Sequence, residues 1–213
     1  MKNTLFIVLI ASSLSLAQSG FGVELGLAKT GFAAITTHQE SDILHPFVNI
    51  YNDVLIGNNL FITPQIGFAT RGGSFTPLPA YVDPVPRIPK ITKASFSMNY
   101  IDLSLLLKAR LTPIDAPLMF TVYGGPTVNY LLGGKVKTSY GQGTADAEKD
   151  VEGISEVGIG AIFGAGFGVH APGGMIEFRT VIFTQFNSSV DANTGLSIRN
   201  VSQGLSLTWH LML

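Results

Sequence analysis

The chain is 213 residues long with a formal net charge of −1, and 13% of it is charged against 46% apolar; a typical soluble domain carries about 25% charged residues. So little charge, with no basic cluster, argues against a nucleic-acid partner. The absence of cysteine excludes disulfides and thiolate metal centres, and the length suits one domain behind a short leader.

The leader is legible on its own. Lys2 supplies a positive start, Leu5 to Ala11 (LFIVLIA) an apolar core, and Ser15-Leu16-Ala17 a small-x-small cleavage site. Met1–Ala17 is therefore read as a cleaved signal peptide and 18–213 as the mature domain, because the apolar core falls short of the ~20 residues that a membrane helix needs. No later run of 18 or more apolar residues exists, which excludes helical spans. A chain that is apolar on average, poor in charge and without membrane helices is accommodated by a closed β-barrel.

Gly20 to Ala28 alternates Phe21, Val23, Leu25 and Leu27 against Gly22, Glu24, Gly26 and Ala28, a first strand. Residues 30–42 are polar and read as a loop. Ile43 to Asn52 is a second strand of ambiguous parity, interrupted by Pro46, and Asp53 to Asn59 (DVLIGNN) ends in turn chemistry, a short connection. Leu60 to Arg71 is a third strand, in which Pro64 demands a bulge or a local defect in the ladder. Residues 72–93 contain five prolines and are read as a long loop.

The fourth strand, about Ala94 to Arg110, contains the clearest pattern in the chain. Its YIDLSLLLK stretch places Ile101, Leu103, Leu105 and Leu107 on one face, with Tyr100, Asp102, Ser104, Leu106 and Lys108 on the other. After a turn at 111–117, Leu118 to Leu132 is a fifth strand and 133–153 a second long, polar loop. Ile154 to His170 sets Val157, Ile159, Phe163 and Phe167 against Glu156 and a row of glycines. Ala171 to Gly174 is a tight turn, Met175 to Phe186 a seventh strand, 187–195 a loop, and Leu196 to Leu213 the eighth strand.

The fold class is thus all-β, an antiparallel up-and-down transmembrane barrel of eight strands, with ten as the alternative if the loops contain strand extensions. Connections alternate long and short, as long extracellular loops and short periplasmic turns do in outer-membrane barrels, and an even strand number places both termini on the periplasmic side. A soluble barrel alternates too, but its outer face must be charged, and the polar face here is mostly Gly, Ser, Thr and Asn. The apolar face is therefore assigned to lipid. That leaves Glu24, Arg71, Asp102, Lys108, Glu156, Glu177 and Arg179 as a lumenal charge network of structural role. A one-residue slip would put Lys108 or Arg179 in lipid at up to ~2–4 kcal/mol each. Asp102 and Lys108 are six residues, or ~20 Å, apart along one strand, so each should pair with another strand: Asp102 with Arg71 or Arg179, Lys108 with a glutamate. Phe21, Tyr100, Tyr130, Phe186 and Trp209 are candidates for interfacial girdles.

The pattern YIDLSLLLKARL, a turn, then PLMFTVYGGPTVNYLL resembles the Y-(I/L)-(D/E)-(I/L)-P-L-L-L-K … G-P core of the PorT-like outer-membrane β-barrel proteins. The match runs from Tyr100 through Lys108 to Gly125 and Pro126 and departs at Ser104, where the family has Pro. The resemblance implies a small eight-stranded barrel with a link to protein secretion or envelope assembly.

Catalytic, metal and cofactor sites are not expected. The glycines from Gly158 onward lack the strand–turn–helix setting of a dinucleotide loop and fit the narrow inner face of a small barrel. His38 and His45, near Ser41 and Asp42, are the residues an outer-membrane lipid hydrolase or protease would need. His170 and His210 form a candidate metal pair without a third ligand. The expected function is a monomeric integral outer-membrane protein with a structural or interaction role, surrounded by outer-membrane lipid and meeting envelope proteins through its extracellular loops. A small passive channel or transporter is the alternative. Extraction is expected to require detergent, and the unboiled protein to migrate differently from the boiled one on gels; a protein soluble without detergent contradicts the barrel.

Overall fold

Period-two alternation over long stretches favours extended chain, and an extended chain must pair every backbone amide with a neighbour. The computed structural model describes residues 19–33, 39–76, 91–113, 116–140, 147–151, 156–187, 189–190 and 197–212; the proposed leader at 1–17 lies outside them. Eight long strands build the body: β1 (Ser19–Phe32), β2 (Gln39–Gly57), β3 (Leu60–Thr76), β4 (Ile91–Arg110), β5 (Leu118–Tyr140), β7 (Val157–Ala171), β8 (Gly174–Gln185) and β11 (Asn200–Met212). Three shorter strands, β6 (Ala147–Asp150), β9 (Ser189–Val190) and β10 (Ser197–Ile198), lie between them.

The eight long strands form a closed antiparallel ring. Neighbours run β4-β3-β2-β1-β11-β8-β7-β5, and β5 pairs back onto β4. First and last strands meet over thirteen residue pairs, from Gly20↔Met212 to Phe32↔Asn200. β6 adds to the upper part of β5, and β9 with β10 makes a separate two-stranded ribbon. The turns at 58–59 and 172–173 share one rim of the barrel with Ser19 and Met212. At that rim Pro172 and Gly173 turn β7 into β8, with Gly173 at φ +81°, the left-handed second position that a type II turn reserves for glycine.

The faces sort as the alternation requires. Leu103, Leu105 and Leu107 are 46%, 54% and 52% exposed on the outside, whereas Asp102, Ser104, Leu106 and Lys108 between them are buried. The same holds around the ring, where Leu205, Leu207 and Trp209 point out and Ser206, Thr208 and His210 point in. An exterior of this kind is stable in lipid and not in water. The apolar band ends on β3 and β4 at Thr70 and Asn99, whose side chains bond to each other at 2.9 Å. Above it β3, β4 and β5 continue as a wall whose outer face carries Ser95, Ser97, Lys135 and Lys137. There Lys135 Nζ donates to Glu148 at 2.5 Å, and that hydrogen bond holds the Glu148 carboxyl below its ordinary range.

The structure corrects several expected boundaries. Segments 30–32 and 39–42, 72–76 and 91–93, and 133–140 with 147–150, all expected as loop, are strand. Small and polar residues such as Gly72, Gly73, Ser74 and Lys135 interrupt the apolar alternation in them, although Phe32 and Phe75 are buried. The connection expected at Asp53–Asn59 shrinks to the turn at 58–59 because β2 runs on to Gly57. Pro64 causes the expected local defect: β2–β3 pairing lapses at Asn52 and Asp53 and resumes at Val54↔Ile62 in unchanged register. A separate bulge in β5 falls at Gly133 (φ +151°), where the register on β4 shifts between Asn99 and Tyr100. Tyr100 is not in a girdle; it is 3% exposed and faces the lumen. Leu105 lies mid-band on the lipid side, so Leu105→Arg is expected to lower stability in bilayers by about 2–4 kcal/mol, read as a shift in the urea-unfolding midpoint; an unchanged midpoint contradicts the lipid-facing assignment.

Candidate functional site

The interior is polar because the exterior is not, and its charges are arranged in two storeys. In the lower one, towards the tight turns, period two on β8 turns Glu177 and Arg179 inward while Phe178 between them is 62% exposed. Glu177 is the hub. Arg179 Nε and Nη2 lie 2.9 and 2.8 Å from its Oε2, His210 Nε2 from β11 lies 2.8 Å away, and Lys108 Nζ from β4 3.4 Å. Thr121 of β5 donates to the other oxygen. A carboxylate buried in this way is tolerable because both of its oxygens meet donors, several of them charged.

Two further carboxylates flank the hub. Asp53 on β2 accepts from Lys108 Nζ at 2.9 Å and from Thr63 Oγ1 at 2.6 Å. Glu24 on β1 accepts from Asn49 Nδ2 at 2.8 Å and from Ser206, with Arg179 Nη1 3.9 Å away. Tyr51 stacks its ring against Arg179, 4.7 Å from the guanidinium carbon, and brings its hydroxyl 2.8 Å from His210 Nε2. Glycines on the inner face make room: a Cβ at Gly166 would collide with the Glu177 carboxylate, and one at Gly22 with the Tyr51 ring.

The upper storey centres on a two-pronged ion pair. Arg71 Nη1 donates to Asp102 Oδ1 at 2.9 Å, and Nη2 donates to Oδ2. The guanidinium carbon also sits 3.9 Å from the Phe183 ring centroid and 5.3 Å from that of Tyr100, a cation–π clamp in a desolvated setting. Beyond it Asn200 donates to Gln185 Oε1 at 2.9 Å and to Tyr100 Oη at 3.1 Å. An aromatic cluster lies above: Phe32 stacks on Phe75 at 5.2 Å, and Phe96 meets both edge-on at 5.9 and 5.8 Å.

Of the seven residues read from the sequence as a lumenal network, Glu24, Arg71, Asp102, Lys108, Glu177 and Arg179 are buried inside the barrel. Asp102 takes Arg71 as partner, and Lys108 takes Glu177 together with Asp53. Glu156 is a correction: it precedes β7, is exposed, and accepts from the outward-facing Tyr130 hydroxyl at 2.8 Å, since alternation no longer directs a side chain once the strand has ended. Asp53, Tyr51, Asn49 and Arg110 join the interior without having been expected there. For Asp53 the available signal was the continuing alternation Asn49, Tyr51, Asp53 through a segment whose GNN ending suggested a turn.

The histidines do not assemble. His210 is buried in the hub while His170 is exposed at the rim. Asp42 pairs with Lys29 at 2.8 Å, His45 lies on the inward parity of β2 opposite Ala28, and His38 is outside the described residues. Among those residues the buried charges are four acids (Glu24, Asp53, Asp102, Glu177) and four bases (Arg71, Lys108, Arg110, Arg179). Acids and bases are thus equal in number there.

The sequence model of the family described as outer membrane protein beta-barrel domain matches residues 16–197. Comparison with curated protein sequences finds no match. Among solved structures, a major outer membrane protein from Thermus thermophilus is 13% identical with a TM-score of 0.52, covering 91% of this chain and 99% of that one. Neisserial surface protein A (NspA) is 12% identical with a TM-score of 0.45, covering 89% and 96%. Ail, the attachment invasion locus protein of Yersinia pestis, is 12% identical with a TM-score of 0.43, covering 92% and 100%. At such identities the likeness concerns the fold.

Removing one member of a buried pair strands the other. Asp102→Ala is expected to cost about 3–5 kcal/mol, whereas the double change Arg71→Met with Asp102→Leu recovers most of it. Urea unfolding in lipid vesicles, followed by Trp209 fluorescence, measures both; a single variant as stable as the parent contradicts the pairing.

Proposed function

The chain belongs to the outer membrane protein β-barrel family and resides in the bacterial outer membrane, and on that premise we propose that it is a structural or interaction protein of the envelope. The observation that carries this reading is the filled lumen. Two storeys of paired charges and an aromatic cluster occupy the bore, and a chamber between the storeys measures about 30 Å³. Transport would require these pairs to part. The strands that rise above the apolar band, by contrast, present serines, lysines and acids to the outside, which suits contact with other envelope proteins.

The finer assignment to the PorT-like proteins rests on the Tyr100–Lys108 and Gly125-Pro126 pattern. With it comes a role in secretion or envelope assembly, and export through a cleaved leader at Met1–Ala17. The reading is of a monomer without catalytic, metal or cofactor chemistry, supported by Glu24, Asp53, Asp102 and Glu177 each lying within reach of Arg71, Lys108 or Arg179. A passive channel is the competing function, and conductance separates the two. Reconstituted in planar bilayers, the barrel is expected to pass no steady ion current. Photo-cross-linkers placed at Lys135 or Lys137 in intact cells are expected to trap envelope proteins; steady conductance without cross-links replaces the interaction reading with a channel.

A further inference from the structure

We propose that the middle of the lumen is a hydration site, with bound water completing the shell of the Arg71–Asp102 ion pair on both sides. On one side lies the chamber of about 30 Å³ between Arg71, Asp102, Glu24, Asn49 and Gln65. On that measure one water needs roughly 10–15 Å³, so the space takes about two. Apolar side chains such as Phe47, Ile162 and Phe183 make up much of its wall, and the polar residues set among them supply the two to four partners that an internal water requires.

The second side is a layer of carboxamides. Asn129 stands next to Asp102 across the β4–β5 ladder, is 0% exposed, and neither its Oδ1 nor its Nδ2 reaches a protein partner. Asn200, 2% exposed, engages Gln185 and Tyr100 through its Nδ2, while its Oδ1 reaches no protein group. Asn129 and Gln185 converge on Gly158, since a Cβ there would meet Asn129 Oδ1 and Gln185 Nε2 together. A carboxamide with both donor and acceptor free calls for a ligand that can accept and donate at once, and the smallest such ligand is water. Leaving three amide atoms bare in a low-dielectric interior would destabilise the barrel, and a buried ion pair holds only when its remaining hydrogen-bond positions are filled. Both requirements are met by the same molecules.

The wild-type barrel in detergent micelles tests this directly. Water-to-protein cross-relaxation at the side-chain amides of Asn129 and Asn200 is expected with the sign of a long-lived contact, and its absence at both amides overturns the proposal. Two variants give an independent reading. At a hydrated site Asn129→Ala exchanges an amide for another water and is tolerated better, whereas Asn129→Leu forces an apolar group among waters, so the Leu variant unfolds at lower urea than the Ala variant. At a dry site the order reverses, because Leu fills space that Ala leaves empty, and a Leu variant more stable than the Ala variant overturns the proposal. If neither variant yields the folded, heat-modifiable species, the wild-type cross-relaxation decides.

Discussion

Thirteen residue pairs between β1 and β11 close the ring, and the rest of the molecule depends on that closure. In lipid an unpaired backbone amide has no water to turn to, so a sheet can cross a membrane only without edges. Closing eight strands leaves a bore just wide enough for side chains. Within the apolar band the outer face is then committed to hydrocarbon, and charged side chains such as Glu24, Asp102, Lys108, Glu177 and Arg179 turn inward.

Confinement explains the character of the interior. Four acids and four bases share a narrow space whose dielectric strengthens both attraction and desolvation cost. Charges could not be scattered singly there; each must be matched, and Glu177 is matched by groups from β4, β5, β8 and β11. Aromatic rings from Tyr51, Tyr100 and Phe183 flank the arginines, adding contacts with the guanidinium faces while the edges donate to carboxylates. The inner glycines answer to the same shortage of space, since bulky neighbours such as Tyr51 and Glu177 occupy the volume that a side chain at Gly22 or Gly166 would need.

Legibility in the sequence followed the solvent. Where one face meets lipid, as at Ile101, Leu103, Leu105 and Leu107, alternation marks strand and orientation together, and the partners of Asp102 and Lys108 could be narrowed to a few candidates. Above the band the outer residues are small, polar or charged and glycines interrupt the inner face, so the strands through 72–76, 91–93 and 133–140 resembled loop, although the ladder pairs them. Asp53 was hidden by a turn signal four residues further on. Glu156 shows the opposite error: it has inward parity but stands before β7 begins, so its carboxylate meets Tyr130 outside.

Residue by residue, the sequence by itself determined the barrel, its lipid-facing side and the inward parity of Glu24, Arg71, Asp102, Lys108, Glu177 and Arg179, because a period of two and the cost of charge in hydrocarbon act locally along each strand. Only the tertiary structure decided which charge meets which. The cross-strand register brings Arg71 to Asp102 over 31 positions of chain and Lys108 to Glu177 over 69. Register around a closed ring is a property of all eight strands at once, and no single strand carries it.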